Sequence, residues 1–152
     1  MFRSRRKKFR VELANENLEY LQKLKSLVLQ LRSIYERLAK TKIEKDVLII
    51  CKTTQKILQG LTDDNNKISS QGLLINYYLP ELVQILNQYI AINSNKISST
   101  QAKDTLKQIE EFIPIVKKAF EKILENKTTQ RSSDIDVDIK IMLDRLKSKR
   151  LI

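Results

Sequence analysis

Apolar residues recur at steps of three and four along nearly the whole chain, and this spacing limits the possible folds more than any other feature. Ala14, Leu18, Leu21, Leu24, Val28, Leu31, Tyr35 and Leu38 form the first series. Since 3.6 residues complete a helical turn, these steps align one apolar stripe along one helix. No Gly or Pro precedes Gly60 to interrupt it. A second stripe runs through Ile43, Val47, Ile50, Thr54, Ile57 and Leu61. The step of five from Leu38 to Ile43 breaks the phase and predicts a break near Ala39–Lys42, with one long bent helix as the alternative. Thr41 and Glu44 have the spacing of a capping box, which satisfies first-turn N–H groups. Gly60 is expected to end the second helix in a positive-φ conformation.

A polar linker of loop formers follows at residues 62–71. The third helix carries Ile75, Leu79, Leu82, Leu86 and Tyr89, with Pro80 in its first turns, where a missing N–H is tolerated. Residues 93–97 make the next turn, and Ser98 with Gln101 offers a second capping box. The fourth helix has the cleanest seam, Ala102, Leu106, Ile109, Ile113, Val116, Phe120 and Ile123. Pro114 lies inside it and predicts a kink near Glu110–Ile113. Residues 126–133 form another polar linker, and a short last helix is expected to start near Asp136. No strand pattern survives. The fold class is therefore all-α: an elongated antiparallel bundle of four to five helices, with coiled-coil-like seams. With 152 residues, one domain over 11–152 is expected, preceded by a flexible basic arm over 1–10.

That arm (MFRSRRKKFR) holds Arg3, Arg5, Arg6, Lys7, Lys8 and Arg10 with no acid. It carries six of the eleven excess positive charges, leaving +5 on the other 142 residues. Like charges packed so densely repel and stay solvated, so a frayed arm, or a first turn that orders on a partner, is expected. Three readings are open: anionic lipid, at about 1 kcal/mol per basic residue; nucleic acid, through counterion release; or a solvated interaction tail. Phe2 and Phe9 favour a membrane surface or a protein groove, because little aromatic residue interleaves with the charge for base stacking.

Residue types exclude several chemistries. The chain has no His, one Cys and two Gly. This removes Ser-His and Cys-His nucleophiles, His-ligated zinc, internal disulfides, Cys-cluster metals and Gly-rich phosphate loops. No cofactor is expected. No run of 18 apolar residues offers a membrane-spanning helix, and the N-terminus lacks the apolar core of a secretory signal. With Cys51 unpaired, a reducing interior is expected: cytoplasm or an organelle stroma or matrix, peripheral to a membrane if the arm meets one.

Residues 74–92, LINYYLPELVQILNQYIAI, resemble the signature of the XpaC-like, or 5-bromo-4-chloroindolyl phosphate hydrolysis, family. Tyr77, Tyr78, Leu79, Pro80, Leu86 and Tyr89 match its aromatic-Tyr-Leu-Pro start and the Leu-Leu-x-x-Tyr helix that follows. Lys118, Ala119, Phe120, Glu121 and Lys122 match a second stretch. The run Asp134 to Lys140, continuing to Leu146, is similar to the family's aspartate-rich approach to its final helix. The resemblance covers about residues 50–147, and its name implies hydrolysis of a chromogenic phosphate ester.

Asp134, Asp136 and Asp138 are the weak catalytic candidates. Two carboxylates could hold Mg²⁺ while a third attacks phosphorus. That chemistry wants an Asp-x-Asp motif at the end of a buried strand, whereas QRSS precedes these residues, so helix capping is the plainer reading. No metal site is expected: a calcium loop would need Gly at its sixth position and Glu where Arg145 stands. Cys51 has Ile57 where a Cys-x5-Arg phosphatase needs Arg, and reads as a core residue. Tyr77, Tyr78 and Tyr89 read either as packing between helices or as a partner-binding patch, with Tyr78 expected to be exposed. The function this favours is a non-catalytic helical interaction or scaffold protein. Its most plausible partner is another protein, with an anionic membrane or nucleic acid at residues 1–10. A metal-assisted phosphoesterase and a nucleic-acid-associated protein are the alternatives.

Overall fold

The structure is a computed structural model that describes residues 2–64, 71–96, 98–125 and 144, with side chains from residue 15 onward. It is all-helical among these residues: α1 (Phe2–Glu36), α2 (Glu44–Asp63), a π-helical turn (Leu74–Tyr78) leading into α3 (Leu79–Ser94), and α4 (Thr100–Glu125). The predicted break between the first two helices is present. Leu38 and Ile43 are both buried, and the five-residue step between them is the turn itself. Lys40 adopts a left-handed φ of 67° there. Its N–H donates to Glu44 Oε2 at 2.9 Å, while the Thr41 hydroxyl donates to the Leu38 carbonyl at 2.7 Å. The capping box is therefore not formed: Glu44 accepts from the turn and Thr41 caps the end of α1, while the first turn of α2 has no side-chain cap.

Each helix buries one stripe. On α1 the stripe is Leu24, Leu27, Val28, Leu31 and Ile34, continued by Leu38 in the turn; on α4 it is Ile109, Phe112, Ile113, Val116, Phe120 and Ile123. α1 and α4 each pack on both α2 and α3, which sets the four helices at the corners of a bundle. Short turns make α1–α2 and α3–α4 antiparallel hairpins. Between the hairpins, Gly72 lies against the Tyr20 hydroxyl and Lys23 Nζ donates to Asn76 Oδ1 at 3.0 Å. Residue numbers rise together along both elements, so α1 and α3 run the same way. Lys117 of α4 pairs with Asp46 of α2 at 3.2 Å. The buried Thr54 hydroxyl donates to the carbonyls of Ile50 and Cys51, so its place on an apolar stripe leaves no hydroxyl unsatisfied.

Four expectations are corrected. Gly60 does not end α2: the helix continues to Asp63, and no glycine has a positive φ among the described residues. Leu61 is buried, and its packing carries the helix past the glycine. The capping hydroxyl of α4 is Ser99, not Ser98; it accepts the Ala102 N–H at 3.1 Å. Leu18 is 54% exposed despite its stripe position, because the buried face of α1 is set by Leu24, Leu27, Leu31 and Ile34, and at helical period Leu18 falls on the opposite side. Tyr78 is buried at 2% exposure, not exposed. Leu74, Tyr78 and Leu82 stand at i, i+4 and i+8 and are all buried, so the buried face is wide enough to take in Tyr78. Leu79 N–H donates to the Leu74 carbonyl, five residues back. The widened turn leads into Pro80, whose ring opposes ordinary helical bonding.

The basic block lies, from Phe2, within α1 and not in a segment of its own. α1 is consequently about 52 Å long at the usual rise, against about 30 Å for α2. α4 is continuous through Pro114. The short last helix and the linker at 126–133 fall outside the described residues, except for Asp144.

Two outcomes follow from the core. Phe112 is among its largest wholly buried side chains, so Phe112→Ala should lower stability by about 3–5 kcal/mol in urea unfolding. Cys51 is also interior, and burial pushes its thiol up to about 11. The unfolded thiol ionises near its ordinary value while the native thiol stays protonated. Stability should therefore fall as pH rises from about 9 to 11. At lower pH, iodoacetamide should label Cys51 only as fast as the protein unfolds.

Candidate functional site

Residues 2–10 form the opening turns of α1, and this helix has no acidic residue in its first turn. Unpaired N–H groups and the helix dipole already make that end positive. Arg3, Arg5, Arg6, Lys7, Lys8 and Arg10 add to it. At helical period, positions 3, 6, 7 and 10 fall within one arc about 100° wide, with Arg5 and Lys8 on the opposite side. Such an end attracts anions through both its backbone and its charges. Farther along α1, Leu18 and Leu29 are 54% and 57% exposed. Eleven residues, or three turns, separate them, so they share one outward face.

The tyrosines do not form one surface patch. Tyr77 is half-buried, and its hydroxyl donates to Asp144 Oδ1 at 2.8 Å. Its ring meets that of Tyr78 edge-on, with centroids 5.6 Å apart. Tyr78 packs in the core. Tyr89 is also buried, and its hydroxyl donates to Glu110 Oε2 at 3.0 Å, across the α3–α4 interface. Burial, followed by the bond to Glu110 and its negative charge, pushes the Tyr89 phenol well above its usual range. Tyr89 is therefore a protonated donor that fastens the two helices. Of the three, Tyr77 has the ring nearest solvent.

Cys51 is buried and its thiol is harder to ionise than usual, the reverse of what a nucleophile needs. Asp134, Asp136 and Asp138 lie outside the described residues. Among the described residues, no three His, Cys, Asp or Glu side chains are grouped to hold a metal ion, and no helix is long and apolar enough to cross a membrane. The contact of Tyr20 and Lys23 with Gly72 and Asn76 was not legible in the sequence. Lys23 and Asn76 are off the apolar stripes, and polar positions carry no periodic signal of their partners.

The geometry is that of a closed bundle with a cationic helix end, and comparison with known proteins adds a family. No curated protein and no solved structure shows significant similarity to the chain. The family model described as 5-bromo-4-chloroindolyl phosphate hydrolysis protein matches residues 4–142, taking in most of the basic block as well as the Tyr-Leu-Pro helix. On the breadth of that match, the chain belongs to the 5-bromo-4-chloroindolyl phosphate hydrolysis protein family.

Proposed function

We propose that this protein is a non-catalytic helical adaptor: its bundle holds a cationic helix end against an anionic surface while outer helix faces dock a protein partner. The observation that carries this reading is the continuity of α1. One helix runs from the six basic residues to the buried stripe that begins at Leu24, so the charge and the core share one element. Cations at a helix N-terminus oppose the dipole at about 0.3–1 kcal/mol each. An anionic surface relieves that opposition and gains from every basic residue it meets. Leu18 and Leu29 supply apolar contact on the same helix, where a partner helix can lie along three turns.

Co-sedimentation with phosphatidylcholine vesicles, with and without phosphatidylglycerol, tests the reading. Binding should require the anionic lipid and weaken with salt. Each neutralisation among Arg3, Arg5, Arg6, Lys7 and Lys8 to Gln should reduce it about fivefold, as expected for about 1 kcal/mol per charge. Equal binding to both vesicle types would remove the proposal. Tight binding to duplex DNA in its place, with a steep salt slope, would favour a nucleic-acid-associated protein.

A second reading rests on the printed family description. It makes the chain a metal-assisted phosphoesterase that uses Asp134, Asp136 and Asp138. Turnover of 5-bromo-4-chloroindolyl phosphate with Mg²⁺, Mn²⁺ or Zn²⁺ decides it. The adaptor reading expects no turnover beyond that of an Asp136→Ala variant, and turnover that disappears in the variant would replace it.

A further inference from the structure

Where the C-terminal turns of α2 and α4 come together, the described residues enclose a half-open cavity of about 230 Å³. Ile57, Leu61 and Ile123 give it an apolar lining drawn from the core, and Asp63 and Asp64 give it acidic groups. Gly60 forms part of the wall. Residues 57, 60 and 61 stand at i, i+3 and i+4, positions of one helix face. Gly60 thus occupies a place where the stripe calls for a large apolar side chain. Its backbone is helical and uses none of glycine's positive-φ freedom, while a glycine within a helix costs about 1 kcal/mol relative to alanine. What the glycine supplies is room.

We infer that this cavity binds a small organic cation with an apolar body, such as an alkylammonium. The alkyl part lies against Ile57, Leu61 and Ile123, and the ammonium pairs with the carboxylate of Asp63. Small-molecule sites have this composition, a largely apolar lining with a few placed polar groups. The charge argument is specific, because the chain carries +11 overall. Non-specific attraction would draw anions, so a preference for a cation must come from these local carboxylates.

Isothermal calorimetry on the full chain with hexylammonium, hexanol and hexanoate is the test. Hexylammonium should bind about two- to fivefold more tightly than hexanol, the worth of one partly exposed ion pair, and hexanoate should bind weakest. Gly60→Leu, which replaces a poor helix former with a good one, should abolish binding of all three. Asp63→Asn should remove the preference for the ammonium and leave hexanol affinity unchanged. Absence of hexylammonium binding, hexanoate binding as tight as hexylammonium, or an ammonium preference that survives Asp63→Asn would each overturn the inference. So would unchanged binding by a folded Gly60→Leu protein. If Gly60→Leu fails to fold, the Asp63→Asn comparison decides alone.

Discussion

Leu24, Leu31 and Leu38, each seven residues from the next, are wholly buried along α1 and the turn that ends it, and the bundle is assembled around such seams. Isolated helices are marginal in water because nucleation costs more than the first hydrogen bond returns. Burial of a stripe against neighbouring helices supplies the difference. α1 touches α2 and α3 along its seam, α4 touches the same two helices from the other side, and neither hairpin would close an apolar core alone. Polar contacts refine this arrangement. Tyr89 to Glu110 and Lys117 to Asp46 join helix pairs at their edges, where partly exposed charges contribute less than the interior does.

This dependence also explains how a run of six basic residues is helical. A free segment of that composition would repel itself into an extended form. Joined to a helix already nucleated by packing, it propagates turn by turn. The repulsion remains as an unmet electrostatic demand at the N-terminus, and the adaptor reading assigns that demand a partner. Functional charge and structural core are thus two stretches of one element.

Much of the fold was legible because periodicity reports burial directly. Leu24 to Leu38, Val47 to Leu61 and Ile109 to Ile123 were all placed by their spacing. Failures occurred where a local rule met a tertiary force. Gly60 reads as a terminator until Leu61 packs behind it. Tyr78 reads as exposed beside the narrow Ile75–Leu79 seam, but the buried face also includes Leu74 and Leu82, one turn to either side of it. Ser99 took the cap assigned to Ser98, a one-residue displacement within a polar run whose members have similar capping chemistry. Among the candidate tyrosines, the spacing placed Tyr89 on the buried seam, whereas the burial of Tyr78 was not legible from that seam alone.

The unbroken course of α1 has a mechanical side. From Phe2 to Glu19 the helix extends about 27 Å at the usual rise, and its buried anchoring among described side chains begins at Leu24. Such an element acts as a lever arm with its fulcrum in the core. A tilt of about 10° at the fulcrum, the scale of a modest repacking, sweeps the far end through about 5 Å. Any event that rearranges the Leu24–Leu38 seam is therefore amplified into displacement at the charged tip, and a load on the tip is felt first by Leu24 and its neighbours.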